Sequence, residues 1–373
     1  MMYSSKLLGE VMAGKQDIES KIKETSDLVE KTRLQIQLAH QTRYTNPEHS
    51  LNLSKEAWKT AKIISDPDLE LKSIISICSW YVSSDSYQEF EKWTNLLEKR
   101  GKELNRKYAL GRANLFRYAF DNHFGKQIEA ENCLYLALEY FEADNNIQGK
   151  TTCYLSLGNI KFNQGNYDKA CEYYQAALKL SPEENNEITF TLRQNIATVL
   201  LMQQEYHQAW GAYQDLLDII PENNYGTRAL ILINLGNISY ILKEIPAAIQ
   251  YYDEVIKLTL HTPGEKIHVK ASCAKANILI EMGKPLEAYK ILKAIKKNVE
   301  ITQNQYLLEK LYGSFIKYYQ AENALYGAAG FQTDLLDMKI KISEILEKSN
   351  NPEELHQLLS DIDDLLLIEE NQR

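Results

Sequence analysis

A chain of 373 residues with a formal charge of −9 lacks the cationic surplus that a non-specific nucleic-acid or anionic-membrane surface needs. A content of 44% hydrophobic and 25% charged residues, with only 16 Gly and 8 Pro, excludes the disordered and collagen-like classes and fits a folded helical protein. No apolar run is long enough to span a bilayer. Five cysteines without a CxxC pair (Cys78, Cys133, Cys153, Cys171, Cys273) read as reduced, buried thiols of a cytoplasmic protein.

At the start, MMYSSKLLGEVMAGKQDIES has no long apolar core before a small-residue cleavage site, so no secretory signal is expected. Residues 1–31 are predicted to form an N-terminal cap and the beginning of the first helix. From residue 32 to 348 the chain repeats itself. With Ala170 as anchor, counterparts fall at Leu51, Phe90, Ala130, Ala209, Ala248, Ala288 and Leu325, in steps of 39, 40, 40, 39, 39, 40 and 37 residues. A period this steady, with no Gly-, Ser- or Pro-rich linker, predicts one continuous array of about eight stacked helical hairpins.

The clearest units are 151–182, 190–221, 229–260 and 269–300. In the first, Tyr154, Leu157, Gly158 and Phe162 share one helix face. Gly165-Asn166 then break the helix. Ala170, Tyr174, Ala177 and Leu178 make one face of a second helix, which Ser181-Pro182 stop. Gly158 and Ala170 are predicted to mark the close crossing of the two helices, with tyrosines filling the sides. The next units repeat the scheme through Ala197, Ala209 and Tyr213, then Leu235-Gly236, Ala248 and Tyr252, then Ala276, Gly283, Ala288 and Leu292. The asparagine pairs Asn145-Asn146, Asn185-Asn186 and Asn223-Asn224 read as helix-ending linkers.

The pattern Leu157-Gly158 … Tyr167 … Ala170 … Tyr174 … Ala177 … Pro182 resembles the tetratricopeptide repeat. The usual unit of that family is about 34 residues, so these repeats are lengthened. In period they are similar to those of kinesin light chain, the Pins-type spindle adaptors and the Gram-positive peptide-pheromone regulators. The resemblance implies an all-α, right-handed superhelical solenoid whose first helices line a concave groove. At the end of the chain, residues 349–373 place Leu355, Leu358, Leu359, Ile362, Leu365 and Leu366 on one helical stripe. That stripe suits a capping helix, with a dimerising helix as the alternative.

Chemistry-bearing motifs are not found. The seven histidines stand at no ligand spacing, and the chain has no HExxH, Walker loop, GxSxG or paired cysteines. Ala328-Ala329-Gly330 is read as close helix packing. No catalysis, cofactor or metal is expected. One constellation remains. In register, Asn159, Thr198, Asn237 and Asn277 occupy the same position of successive first helices, with Asn195 and Asn234 three residues earlier in two of them, on the same face. Asparagine is a mediocre helix former, and its amide matches the alternating N–H and C=O of an extended peptide. Hydrogen bonding between neighbouring helices is the competing explanation. Arg193 would add a charge-assisted contact to an acidic ligand group.

The resemblance adds that asparagine ladders in these families hold peptide main chains. The two-carboxylate clamp of chaperone-binding members needs a lysine where this chain has Leu155 or Ile233, so a chaperone-tail receptor is not expected. Two functions stay open: a non-enzymatic scaffold that binds a peptide or extended partner segment, and a ligand-responsive signalling regulator that controls a partner protein. Neither calls for nucleic acid or membrane.

Overall fold

The computed structural model describes residues 17–82, 86–181, 187–261, 265–326, 332–346 and 352–371. Among these, every regular element is a helix. The described part of α1 covers residues 17–24. There follow α2 (Leu28–Thr42), α3 (Pro47–Ile63), α4 (Pro67–Tyr81), α5 (Tyr87–Glu103), α6 (Lys107–His123), α7 (Gln127–Ala143), α8 (Ile147–Asn163) and α9 (Tyr167–Leu180). Then come α10 (Glu187–Met202), α11 (Tyr206–Ile219), α12 (Tyr225–Ile241), α13 (Ile245–Leu258) and α14 (Lys266–Glu281). The last four are α15 (Pro285–Thr302), α16 (Gln305–Tyr326), α17 (Gln332–Leu346) and α18 (Pro352–Asn371). Pro182, Asn185-Asn186, Ala328-Ala329-Gly330 and most of the predicted N-terminal cap lie outside the described residues.

The helices end where the backbone is turned by a single left-handed residue. At the α8–α9 turn, Gly165 has φ +73°, its N–H reaches the Phe162 carbonyl, and the next N–H, of Asn166, reaches Lys161. These paired bonds satisfy two carbonyls that the helix leaves open. The same six-residue closure recurs at Asn145, Gln204, Lys243 and Gly283, all with positive φ. The asparagine pair 145–146 therefore has two jobs. Asn145 takes the left-handed conformation, and Asn146 Oδ1 caps α8 by accepting from the Gly149 N–H at 2.8 Å. Asn166 and Asn224 cap α9 and α12 in the same way.

By its internal contacts the chain divides into two compact units, residues 1–199 and 200–373, with the boundary inside α10. In each unit successive helices pack on one another, as α2 with α3, α6 with α7 and α8 with α9 in the first, and α12 with α13, α14 with α15 and α17 with α18 in the second. The even helices also pack on one another: α2 on α4, α4 on α6 and α6 on α8 in the first unit, and α12 on α14, α14 on α16 and α16 on α18 in the second. This second set of contacts makes the even helices the inner layer of each stack.

The core repeats with the sequence. Tyr174, Tyr213 and Tyr252 are all buried, 2% exposed or less, and Leu134 and Leu292 occupy the equivalent positions of flanking repeats. Gly158 and Gly236 explain the tyrosines. A Cβ added to Gly158 would lie 2.4 Å from the Tyr174 ring, and one added to Gly236 would lie 2.8 Å from the Tyr252 ring. The glycines are there because the ring of the following helix lies directly on the backbone of the preceding one. At the C-terminus, Leu355, Ile362 and Leu365 of the predicted stripe are buried, and Leu358, Leu359 and Leu366 pack beside them. Their cluster includes Tyr312, Phe315, Leu335 and Met338.

A buried histidine links stability to pH. His268 on α14 is 4% exposed, and its Nδ1 lies 2.9 Å from Thr259 Oγ1. That hydroxyl already donates to the Val255 carbonyl, so the imidazole is the donor. Burial lowers the His268 pKa below its usual 6.5. The unfolded chain then takes up the proton first. Stability from this site is full above pH 6.5 and is lost as pH falls from there through the lower, folded-state value. Urea unfolding between pH 7.5 and 5 should show that decline, and His268→Asn, which keeps a donor and removes the titration, should flatten it.

Candidate functional site

Two recesses open on the inner, even-helix layers, one in each unit. In the first unit a recess of about 310 Å³ lies over α6, α8 and α10 and is lined by Asn122, Asn159, Asn163, Asn195, Thr198 and the edge of Tyr174. In the second a recess of about 550 Å³ lies over α12, α14, α16 and α18, with Asn237 and Asn277 in its wall. Five of the seven sequence-predicted residues thus line a recess. Arg193 and Asn234, both half-buried, line neither of these two.

The amides are oriented by tyrosines of the repeat pattern whose hydroxyl partners the periodicity alone did not reveal. The Tyr174 hydroxyl donates to Asn159 Oδ1 at 2.7 Å, and the Tyr252 hydroxyl donates to Asn237 Oδ1 at 2.7 Å. Both pairs are separated by fifteen residues, from the first helix of a hairpin to the second. Burial pushes the Tyr174 phenol up to about 12 and raises that of Tyr252 as well, so both stay protonated and act as donors. With its carbonyl oxygen engaged, each asparagine side chain, exposed on the inner layer, keeps N–H donors for another partner. In the first unit Asn195 Nδ2 spends one donor on Asn159 Oδ1 at 3.3 Å. Thr198 Oγ1 donates to the Gln194 carbonyl at 2.9 Å. Part of the asparagine ladder is therefore hydrogen-bonded between helices, as the competing explanation foresaw, and part faces open space.

The fourth position breaks the pattern. Leu292 stands where Tyr174 and Tyr252 stand, and Ala276 stands where Gly158 and Gly236 stand. Asn277 consequently has no hydroxyl to receive, and its Oδ1 is buried without a hydrogen-bond partner. The wall around it is charged. The ammonium groups of Lys266, Lys270 and Lys310 lie 5.0, 5.3 and 5.7 Å from the centre of the Tyr306 ring. Lys310 also sits 3.4 Å from Glu309 and 3.6 Å from Glu354. Burial, then the hydrogen bond and charge of Glu354, raise the Glu309 carboxyl, while the same bond and Lys310 lower Glu354. Of the two carboxyls, Glu309 is therefore the one that takes up a proton first as pH falls. None of these charged residues was foreseen. They come from helices 40 and 80 residues apart whose only sequence signal was unremarkable surface charge.

Chemistry beyond binding has little to work with among the described residues. No group of three or more His, Cys, Asp or Glu is arranged to hold a metal ion. Burial pushes the Cys78, Cys153 and Cys273 thiols up to about 12, which keeps them protonated and un-nucleophilic. No described helix is long and apolar enough to cross a membrane.

Hairpins of this kind, stacked through a small-residue and tyrosine seam, have the fold of the tetratricopeptide solenoids. Residues 150–222 match the tetratricopeptide repeat family model. A curated relative, the human intraflagellar transport protein 88 homolog, is 29% identical over 72 residues, 19% of this chain and 9% of its own length. The chain thus spans only about a tenth of that relative. Solved structures extend the likeness in fold along the chain. The apo form of RapI aligns over 92% of this chain and 97% of its own with a TM-score of 0.66 and 12% identity. The apo form of the quorum sensor NprR from B. thuringiensis aligns over 91% and 100% with a TM-score of 0.59 and 15% identity. Aspartyl phosphate phosphatase F from Bacillus subtilis aligns over 89% and 92% with a TM-score of 0.53 and 14% identity.

Proposed function

We propose that the inner layer of this repeat protein binds an extended peptide segment and that the protein acts as a non-enzymatic interaction module. The observation that carries the reading is the tethering of Asn159 and Asn237 by Tyr174 and Tyr252. An amide whose oxygen is fixed presents its N–H groups in a set direction, and a ligand carbonyl meets them without the entropy cost of ordering a free side chain. Asn195, Thr198 and Arg193 in the first unit, and Asn234 and Asn277 in the second, would supply further contacts. The similarity in fold to a quorum sensor favours a regulatory version of this function, in which peptide occupancy alters the hold on a partner protein. The similarity in fold to a phosphatase does not move the reading to catalysis, because the recesses offer donors and ion pairs rather than an activated nucleophile.

In this reading the protein works in the cytoplasm, apart from nucleic acid and membrane. Residues 32–348 form the repeat array, and 349–373 cap it through the buried Leu355–Leu365 stripe rather than joining two copies.

The test is peptide capture. The triple variant Asn195→Ala, Asn234→Ala, Asn237→Ala should retain peptide from a random pool about tenfold less well than the parent chain, with unchanged far-UV circular dichroism. Undiminished capture by the folded triple variant would remove the amide argument. Small-angle scattering separates the two functional forms: a regulator compacts when a captured peptide is added, and a passive scaffold keeps its radius.

A further inference from the structure

Resting on the peptide-binding reading above, we infer that the recess of the second unit is specific for a carboxylate-bearing peptide, which it receives between Lys270 and Lys317 beside the unpartnered amide of Asn277. The charges in the wall decide the sign of the ligand. Lys310 is already committed to Glu309 and Glu354, at 3.4 and 3.6 Å. Lys270 and Lys317 line the same recess and form no ion pair among the described residues. Lys270 is half-buried and rests against the Tyr306 ring, a position that neutralises none of its charge. The recess therefore presents two cations without an ion-pair partner among the described residues around a cavity of about 550 Å³, and the lysines in its lining outnumber the carboxyls. A basic ligand would have to displace Lys310 to reach an anion, whereas an acidic one meets free cations at once.

Asn277 supplies the second half of the recognition. In the other repeats the equivalent oxygen receives a tyrosine hydroxyl. Here Leu292 provides none, and an acceptor shielded from water without a donor costs free energy until something bonds it. A peptide main-chain N–H next to the carboxylate is such a donor. The amide, held by no tether, is free to turn toward it. Ile233, one of the positions at which a chaperone-tail clamp would need its lysine, lines the same recess, but the lysines that carry the site here stand instead on α14 and α16.

The experiment uses the full chain immobilised and two matched pools of randomised pentapeptides, one with free C-terminal carboxyl groups and one amidated, with retained peptides identified by mass spectrometry. Enrichment of acidic side chains in both pools assigns the carboxylate to a side chain. Enrichment only in the free-acid pool assigns it to the C-terminus. Either supports the inference. The Lys270→Gln, Lys317→Gln variant should then bind the selected peptides at least about tenfold more weakly. Asn277→Leu should also weaken binding while leaving urea stability equal or higher, since it deletes an orphan acceptor. A merely structural asparagine would do the reverse. Retention of neutral or basic peptides, or undiminished binding of acidic ones to the lysine variant, overturns the carboxylate assignment and leaves peptide binding standing. Retention of no peptide from either pool overturns both.

Discussion

Replacing Gly158 with alanine should destabilise the first unit by about 2 kcal/mol or more, although alanine is the better helix former by about 1 kcal/mol. The added Cβ would lie 2.4 and 2.6 Å from two carbons of the Tyr174 ring, closer than any real contact. The ring has little room to retreat, because Tyr174 is 2% exposed and its hydroxyl is bonded to Asn159. Gly211→Ala in α11 is the matched control. Nothing lies within 4 Å of its added Cβ, so the same chemical change should there be neutral or stabilising by up to about 1 kcal/mol. The chain itself indicates how the clash is relieved, since the fourth clear repeat carries Ala276 with Leu292 in place of glycine with tyrosine. Gly158→Ala combined with Tyr174→Leu should regain much of the loss, giving a favourable coupling term in a double-mutant cycle read by urea unfolding. It should also release the Asn159 amide and so weaken peptide capture. Strictly additive effects would mean that the glycine and the ring are not coupled.

The second large effect is electrostatic. Glu70 on α4 has a side chain only 8% exposed, and its Oε2 accepts from both Nη2 and Nε of Arg100 on α5, at 2.6 and 3.1 Å. Arg100→Leu would leave that carboxylate buried without its cation and should cost about 3 kcal/mol. Glu70→Gln with Arg100→Leu removes the stranded charge and should cost markedly less, about 1 kcal/mol. A single variant as stable as the parent in urea would mean that water replaces Arg100 at Glu70. The contrast with exposed pairs such as Lys169–Glu172 is one of desolvation, since those pairs contribute little in water.

The architecture was legible because each repeat states it again. The step of about forty residues, the Gly165 turn and the leucine stripe of 355–366 all follow from helix geometry and from backbone conformations that few residues adopt. Tyr174 was less fully read. Its burial was evident from its spacing, but its hydroxyl's partner was not, although the common fifteen-residue offset from Asn159 and from Asn237 was a usable signal. The asparagine pairs were read as linkers when Asn145 ends one helix and Asn146 begins the next.

The amino-acid order by itself determined that this protein is an all-α array of tetratricopeptide-like hairpins, because hydrophobic period, small residues and turn chemistry are local and repeat. Only the tertiary structure decided which amides are tethered and which stand free, and that Lys270, Glu309, Lys317 and Glu354 meet in one recess. Those outcomes depend on contacts between helices far apart in the chain. Side-chain charge in a helical sequence carries no record of the neighbour it will face once the hairpins stack.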